Sequence, residues 1–234
     1  MSGAMRTATV AILALISTAL AAPAWARTPV VVELFTAQGC SSCVKSGDVI
    51  ADLAQKPGVV GLTFAVDYWD YLGWTDTFAK PPFADRQRDY MKKLALREVY
   101  TPQLVIDGGA ETAAVSADRT LPLIKEAGRA HLRPPQILFA KGKVKVGTGQ
   151  TMRGGAEVWL VRYDPKDQSV LVKAGDNRGQ TVVEHNVVRE LVRLGAWTGR
   201  SKIYALPEPG AEGLNTVVIV QGAHGGRIIG VGKS

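Results

Sequence analysis

Cys40 and Cys43 are the only cysteines of the 234-residue chain, and the pair Ser41-Ser42 separates them. They follow an apolar run over residues 29–35, which places a dithiol at a predicted strand-to-helix junction. A thiol at a helix N-terminus faces unpaired N–H groups and the positive end of the helix dipole, so its pKa can fall from about 8.5 toward roughly 3.5 to 7. Two intervening residues let the second sulfur attack a mixed disulfide formed by the first, as thiol–disulfide exchange requires.

Within this pair, Cys40 is predicted to be the nucleophile and Cys43 the resolving cysteine. The first cysteine of such a pair is normally the more exposed one. Two other interpretations stay open: an inert or passive surface disulfide, and a metal ion held by the two thiolates. A stabilising crosslink explains the pair poorly, because a bond at this spacing closes a tiny loop and removes little entropy from the unfolded chain.

The N-terminal residues have the form of a secretory signal peptide. Arg6 supplies the charged start, residues 8–22 an apolar core, and Ala24-Trp25-Ala26 a small-residue end. We expect cleavage after Ala26, which makes residues 1–26 the signal peptide and the mature chain a secreted periplasmic protein in an oxidising compartment. An uncleaved anchor is the alternative. No later stretch reaches about 18 uninterrupted apolar residues, so no integral membrane segment is expected after cleavage.

The elements predicted to position the dithiol alternate between strands and helices in the order β-α-β-α-β-β-α. A buried strand precedes the cysteines, a helix begins near Cys40, and Lys56-Pro57-Gly58 ends that helix. The predicted elements are strands at 30–36 and 59–66, a helix at 84–97, a hairpin turning at 107–109 and a helix at 118–130. This is the thioredoxin topology, so residues 27–133 are predicted to form an α/β thioredoxin-like domain.

The second half of the chain has short strand patterns separated by turns. They cover residues 137–139, 143–146, 156–163, 169–174, 181–194, 202–205, 216–221 and 228–231. Residues 187–194 fit either a strand or a helix. Several short strands are typical of a sandwich, so residues 134–234 are predicted to form a smaller, β-rich, sandwich-like domain.

Charge and motif content exclude two other classes of function. The formal net charge is +7, but Lys and Arg are scattered among acidic residues, so no nucleic-acid partner is expected. No Gly-x-Ser-x-Gly motif occurs, which argues against a serine hydrolase of that type.

Several motifs spread over both halves carry a family resemblance. They are Glu33-Leu34-Phe35-Thr36, Gln38-Gly39-Cys40-Ser41-Ser42-Cys43, the aromatic segment 66–74, Arg86-Gln87, Tyr100-Thr101-Pro102-Gln103, Gly175-Asp176-Asn177-Arg178-Gly179, His185-Asn186 and Ala196-Trp197. Together they resemble secreted bacterial proteins catalogued as domain of unknown function 1223 (DUF1223). The resemblance implies a thioredoxin-like domain followed by a β-rich domain, and the family name assigns no reaction. A Pro-Pro pair commonly follows the second cysteine in this family, whereas this chain has Val44-Lys45.

The same resemblance implies a role for Thr101-Pro102. Thioredoxin-like proteins place a cis proline beside the dithiol, where the preceding backbone can pair with an extended substrate segment. An ordinary trans proline that opens a strand is the alternative.

Other candidate site residues are an acid within the first strand and an aromatic cluster after the second. If Glu33 is buried beneath the dithiol, desolvation raises its pKa and lets it take the proton of Cys43 during resolution. The alternative is that Glu33 lies at a strand edge and forms a salt bridge. The aromatic side chains follow a strand that ends at the same sheet edge as the cysteines, where they form either a substrate groove or a small packed cluster. The candidates for substrate binding are Tyr68, Trp69 and Trp74, with Tyr71 in the same cluster.

The sequence therefore predicts a thiol–disulfide oxidoreductase without a cofactor. Its substrates would be protein or small-molecule thiols or disulfides, and it would need an unidentified electron donor or acceptor. One alternative is a carrier in which the two cysteines and a histidine, His185 or His224, hold Cu(I), although no metal site is assigned because these histidines lie far away in sequence. The other is a non-catalytic, thioredoxin-like binding protein.

Overall fold

The computed structural model describes residues 28–130 and 133–234, so the predicted signal peptide, residues 1–26, lies outside the described residues. Within the described part, no helix is both long and apolar enough to cross a membrane. Along the chain the elements are β1 (Val30–Thr36), α1 (Ser46–Ala54), β2 (Val59–Ala65), α2 (Pro81–Lys93), β3 (Gln103–Ile106), β4 (Ala110–Ala113), α3 (Ala117–Ala130), β5 (Ile137–Ala140), β6 (Lys143–Val146), β7 (Ala156–Asp164), β8 (Gln168–Leu171), β9 (Thr181–Glu184), β10 (Val187–Trp197), β11 (Lys202–Ala205), β12 (Asn215–Gly222) and β13 (Ile228–Lys233).

One mixed sheet of eight strands runs through both halves of the chain, in the order β13-β12-β7-β10-β2-β1-β3-β4. Strand β1 is parallel to β2 and antiparallel to β3. The halves meet where Val187 of β10 pairs with Thr63 of β2. The sheet therefore crosses the predicted boundary at 133/134. A separate three-stranded sheet, β11-β6-β5, shares an apolar core with β7 and β12.

Strands β1 and β2 are buried along their whole length, as their nearly continuous apolar sequences predict. Alternation along β1 separates its side chains onto two faces. Leu34 packs in the cluster that contains Ile50 of α1 and Ile124 of α3. Phe35 packs on the opposite face with Phe83 of α2. Both faces of the strand that leads to Cys40 are thus fixed by helices.

Several element boundaries differ from the predicted ones. A 3₁₀ turn, Ser41–Cys43, carries the cysteines, and the regular helix begins only at Ser46. Helix α2 begins at Pro81 rather than near 84, because proline suits the first turn of a helix. Residues 187–194, whose sequence fits either a helix or a strand, belong to strand β10. Asn186, with a φ of 50°, separates β10 from β9.

The hairpin of β8 and β9 packs against the start of α1. A Cβ atom added to Gly47 would lie only 2.3 Å from the carbonyl oxygen of Val183, so glycine is needed for this close approach. The hairpin thereby brings residues of the second half next to the dithiol.

Candidate functional site

The two cysteines form a disulfide bond at the end of β1. Cys40 has an extended backbone and caps the 3₁₀ turn, and the N–H of Cys43 donates to its carbonyl oxygen at 3.0 Å. Cys40 is 1% exposed and Cys43 is 2% exposed. Both cysteines are thus buried to the same degree, so the expected greater exposure of Cys40 is not found; Thr101 and Asn177 contact the junction from the two halves of the chain.

Two hydroxyl groups lie next to the sulfur of Cys40. Thr101 Oγ1 is 3.2 Å from Cys40 Sγ, and Ser42 Oγ is 3.3 Å from it. The sulfur of a disulfide has no proton, so the Thr101 hydroxyl donates to it, and the single proton of Ser42 Oγ is shared between this sulfur and the Thr101 carbonyl oxygen, 3.5 Å away. The indole N–H of Trp69 donates to Thr101 Oγ1 at 2.8 Å, which leaves the hydroxyl proton of Thr101 free to point at sulfur. Among the described residues, the sulfur of Cys43 receives no hydrogen bond.

The Thr101–Pro102 peptide bond is cis, the geometry that the family resemblance implied. Thr101 is buried and directly precedes β3. The antiparallel pairing of β3 with β1 places this residue beside the end of β1, and hence beside Cys40.

The aromatic loop, residues 67–74, lies next to the cysteine junction: a Cβ atom added to Gly39 would lie 3.7 Å from Trp69. Tyr68 donates to Gln87 Oε1 at 3.1 Å, and burial raises the pKa of Tyr68 to about 12, so the phenol stays neutral. Trp69 stacks on Tyr71 at 6.3 Å between ring centroids, and Tyr71 is 77% exposed. Trp74 instead donates to Gln38 Oε1 at 3.0 Å. Of the three predicted substrate-binding residues, Trp69 is the one linked to Cys40 through Thr101.

Glu33 is fully buried, but it belongs to a different network. Its Oε1 accepts from Arg86 Nε at 2.6 Å, and its Oε2 accepts from Arg86 and from the hydroxyl of Tyr90. Burial raises the pKa of Tyr90 well above its usual value, so the phenol remains a donor. Gln221 of β12 completes the network by accepting from Arg86 at 3.1 Å. No hydrogen bond joins Glu33 to either sulfur within the described chain.

Two buried carboxylates that were not predicted as site residues, Asp76 and Glu184, surround Gln38. Asp76 Oδ2 accepts from the backbone N–H of Gln38 at 2.7 Å, and Glu184 Oε2 accepts from its side-chain amide at 3.3 Å. Burial raises the pKa of Asp76 above its usual value and that of Glu184 to about 8. The other oxygen of Glu184 has no hydrogen-bond partner within the described chain. Glu184 ends the apolar strand β9, the same kind of sequence signal as Glu33 in β1, whereas Asp76 lies in a loop and carries no such signal.

The histidines considered for a metal site are not gathered at the cysteines. His185 Nδ1 lies 2.6 Å from Asp167, and His224 has a φ of 55° in the turn between β12 and β13. Within residues 28–130 and 133–234, no group of three or more His, Cys, Asp or Glu side chains is arranged to hold a metal ion.

Comparison with known proteins links the chain to a family and to two solved structures. The family model described as "Protein of unknown function (DUF1223)" matches residues 31–221. A crystal structure of a protein from Agrobacterium tumefaciens is similar, with 30% sequence identity over 88% of this chain and 93% of that one and a TM-score of 0.71. HBP35 of Porphyromonas gingivalis shares the fold, with 13% identity over 89% of this chain and 75% of that one and a TM-score of 0.61. No curated protein matches the chain.

Proposed function

Because the chain belongs to the DUF1223 family, whose members are described as proteins of unknown function, we propose its activity from the site itself: thiol–disulfide exchange through Cys40 and Cys43. The observation that carries this proposal is the pair of hydroxyl donors, from Thr101 and Ser42, at the sulfur of Cys40. A disulfide kept only for stability has no need of donors at one of its sulfurs.

The two donors give the cysteines different chemistry in the reduced protein. A thiolate at Cys40 would accept charge-assisted hydrogen bonds from Thr101 and Ser42, and such bonds stabilise an anion more than a neutral thiol. Both cysteines lie in the same apolar cluster, where desolvation favours the neutral thiol, but the hydroxyl donors that offset this effect are at Cys40. Cys40 is therefore the nucleophile and Cys43 the resolving residue.

In the reducing direction, the thiolate of Cys40 attacks a substrate disulfide, forms a mixed disulfide and releases one substrate sulfur as a thiolate. Cys43 then loses its proton to the released thiolate or to water and attacks Cys40 Sγ. The Cys40–Cys43 disulfide forms, the second substrate sulfur leaves, and two electrons have passed to the substrate. The reverse sequence oxidises a substrate dithiol.

Three further observations support this function in a thioredoxin-like setting. The first half has the element order β-α-β-α-β-β-α with the cysteines after β1, which is the thioredoxin order. Thr101 and Pro102 lie beside the dithiol. The signal-peptide pattern of residues 1–26 supports a periplasmic location, where disulfides form and persist.

Activity assays on the mature chain test the proposal. Reduction of insulin and oxidative refolding of a reduced protein are measured for wild type and Cys40→Ser, with Ser41→Ala as the control at an exposed neighbour. Catalysis of either reaction, lost in Cys40→Ser and kept in the control, supports the proposal. If wild type catalyses neither reaction in either direction, the proposal fails.

One observation favours a second candidate, a non-catalytic binding protein with a structural disulfide: both sulfurs are buried. For this candidate, replacing both cysteines with serine lowers stability but leaves partner capture unchanged. For the oxidoreductase, Cys43→Ser instead traps a mixed disulfide with a substrate, which non-reducing electrophoresis detects.

A further inference from the structure

The turn formed by residues 175–179, a sequence motif that the dithiol chemistry does not use, lies against the backbone of Cys40. The side-chain amide of Asn177 donates to the carbonyl oxygens of Gln38, at 2.8 Å, and of Cys40, at 3.0 Å. Asn177 is 1% exposed, and its Oδ1 has no hydrogen-bond partner within the described chain. This side chain is therefore buried chiefly to hold two carbonyl groups at the cysteine junction.

The same turn supports the aromatic loop. Gly175 has a φ of 73°, and a Cβ atom added there would lie 3.5 Å from Leu72 and 3.8 Å from Trp74. Arg178 N–H donates to the carbonyl oxygen of Gly175 within the turn, and Gly179 N–H donates to that of Val172, which precedes the turn. The 175–179 turn is thus a compact unit of the second half that touches both the dithiol backbone and the loop above it.

Neither sulfur is accessible to another molecule while this arrangement holds. Exchange needs in-line approach of an attacking sulfur, and its rate depends on access to the disulfide. A disulfide with exposures of 1% and 2% can react only after something around it moves. The segment that moves is expected to be one that is held by a few hydrogen bonds, because segments with few buried apolar contacts unfold locally at the lowest free energy.

We propose that the 175–179 turn controls access to the dithiol and that Asn177 is the positioning residue that keeps it closed. Asn177 acts through the Cys40 carbonyl and does not touch the reacting sulfur. In the function proposed above, on which this inference rests, the second half would admit a partner thiol only when the turn releases Cys40. Two amide–carbonyl bonds of ordinary strength favour the closed state by roughly ten- to hundredfold.

The test measures chemical reduction of the disulfide, so it does not depend on catalytic activity. Second-order rate constants for reduction by dithiothreitol are determined for wild type, Asn177→Ala and Asn177→Asp, the last of which keeps the size of the side chain and removes both donors. Asn215→Asp is the control, because the exposed Asn215 is on β12, which three strands separate from β1. Reduction should be about tenfold faster in both Asn177 variants and within twofold of wild type in the control. Unchanged rates in a folded Asn177→Asp protein overturn the proposal.

If the Asn177 variants do not fold, the urea dependence of disulfide reduction in the wild-type protein tests whether the disulfide is reached through a local opening. The reduction rate is followed at urea concentrations below the unfolding transition. A local opening gives a rate that rises with urea, but with a smaller slope than global unfolding. A slope equal to that of global unfolding overturns the proposal, because reduction would then need the whole protein to unfold. A protein without oxidoreductase activity can still pass both tests, so failure of the proposed function and failure of this inference are distinguishable.

Discussion

The hydroxyl group of Thr101 lies 3.2 Å from the sulfur of Cys40, across 61 residues of sequence. Trp69 fixes its direction by donating to the hydroxyl oxygen at 2.8 Å, so the remaining proton points toward sulfur. This relay from indole to hydroxyl to sulfur joins the aromatic loop, the segment before β3 and the cysteine junction. Through Thr101, the indole of the aromatic loop is thus connected to the sulfur of Cys40.

Replacing Thr101 with valine tests this relay, because valine keeps the shape and removes the hydroxyl. In the reduced protein the thiolate of Cys40 loses one of two charge-assisted hydrogen bonds, so the ratio of thiolate to thiol at a given pH should fall by about tenfold. Thiolate absorbance near ~240 nm and the rate of iodoacetamide alkylation measure the change. Thr216→Val on β12 is the control and should behave like wild type. Equal thiolate fractions in Thr101→Val and wild type would show that the hydroxyl has no such role.

The sequence predicts the parts of this site that are local and misses those that other segments contribute. Cys40 and Cys43 are found from their spacing, and the strand before them from its continuous apolar character. Asn177 reaches the Cys40 carbonyl across 137 residues, and Glu184 reaches Gln38 across 146. The periodicity of apolar residues indicates which face of a helix or strand is buried, but it does not indicate which distant loop packs on that face. The burial of the disulfide could therefore not be predicted.

Glu33 is a single residue whose burial can be predicted from the sequence but whose partner cannot. Its position within a buried strand is evident from sequence, but its partner depends on where α2 packs. The structure pairs it with Arg86, whose guanidinium is also buried. The ion pair, rather than the dithiol, therefore accounts for an acid in this strand.

Glu33→Gln should lower the stability of the protein and leave the reactivity of Cys40 unchanged. The substitution leaves the buried charge of Arg86 uncompensated, so the free energy of unfolding should fall by about 3 to 5 kcal/mol. The alkylation rate of reduced Cys40 should remain within twofold of wild type. Urea unfolding and alkylation kinetics measure the two effects. Asp85→Asn, which breaks an exposed ion pair with Arg88, is the control and should change stability by less than about 1 kcal/mol. A large loss of thiol reactivity in folded Glu33→Gln would instead assign the acid to the dithiol.

The buried carboxyl of Glu184 predicts how stability depends on pH. Burial and the neighbouring Asp76 raise its pKa to about 8 in the folded protein, and Arg189 opposes the shift, whereas the unfolded chain has the usual value of 4.5. Between these two values the folded state binds more protons than the unfolded state, so stability falls as pH rises from about 4.5 to about 8 and levels off above. The slope from this one group is at most about 1.4 kcal/mol per pH unit.

Glu184→Gln removes this titration and should flatten the profile, with the largest gain in stability at the alkaline end. Urea unfolding midpoints measured from pH 5 to about 9 give the comparison. The control is Glu157→Gln, which removes a carboxyl paired with the partly exposed Arg193 and should keep the wild-type slope. An unchanged slope in Glu184→Gln would place the titrating group elsewhere, with Asp76 as the next residue to replace.

The close contact between α1 and β9 fixes the second half of the chain near the dithiol, so disturbing this contact should change both stability and the reactivity of the disulfide. A Cβ atom at Gly47 would lie 2.3 Å from the carbonyl oxygen of Val183, a distance that requires the backbone to shift. Gly47→Ala should therefore lower the free energy of unfolding by about 2 kcal/mol, despite the better helix propensity of alanine. Displacing β9 should also make the buried disulfide react faster with dithiothreitol. Gly39→Ala is the matched control: a Cβ atom there meets nothing closer than 3.7 Å, so its stability should stay within about 1 kcal/mol of wild type. Equal stability of Gly47→Ala and wild type would mean that the hairpin is free to move away from α1 without cost.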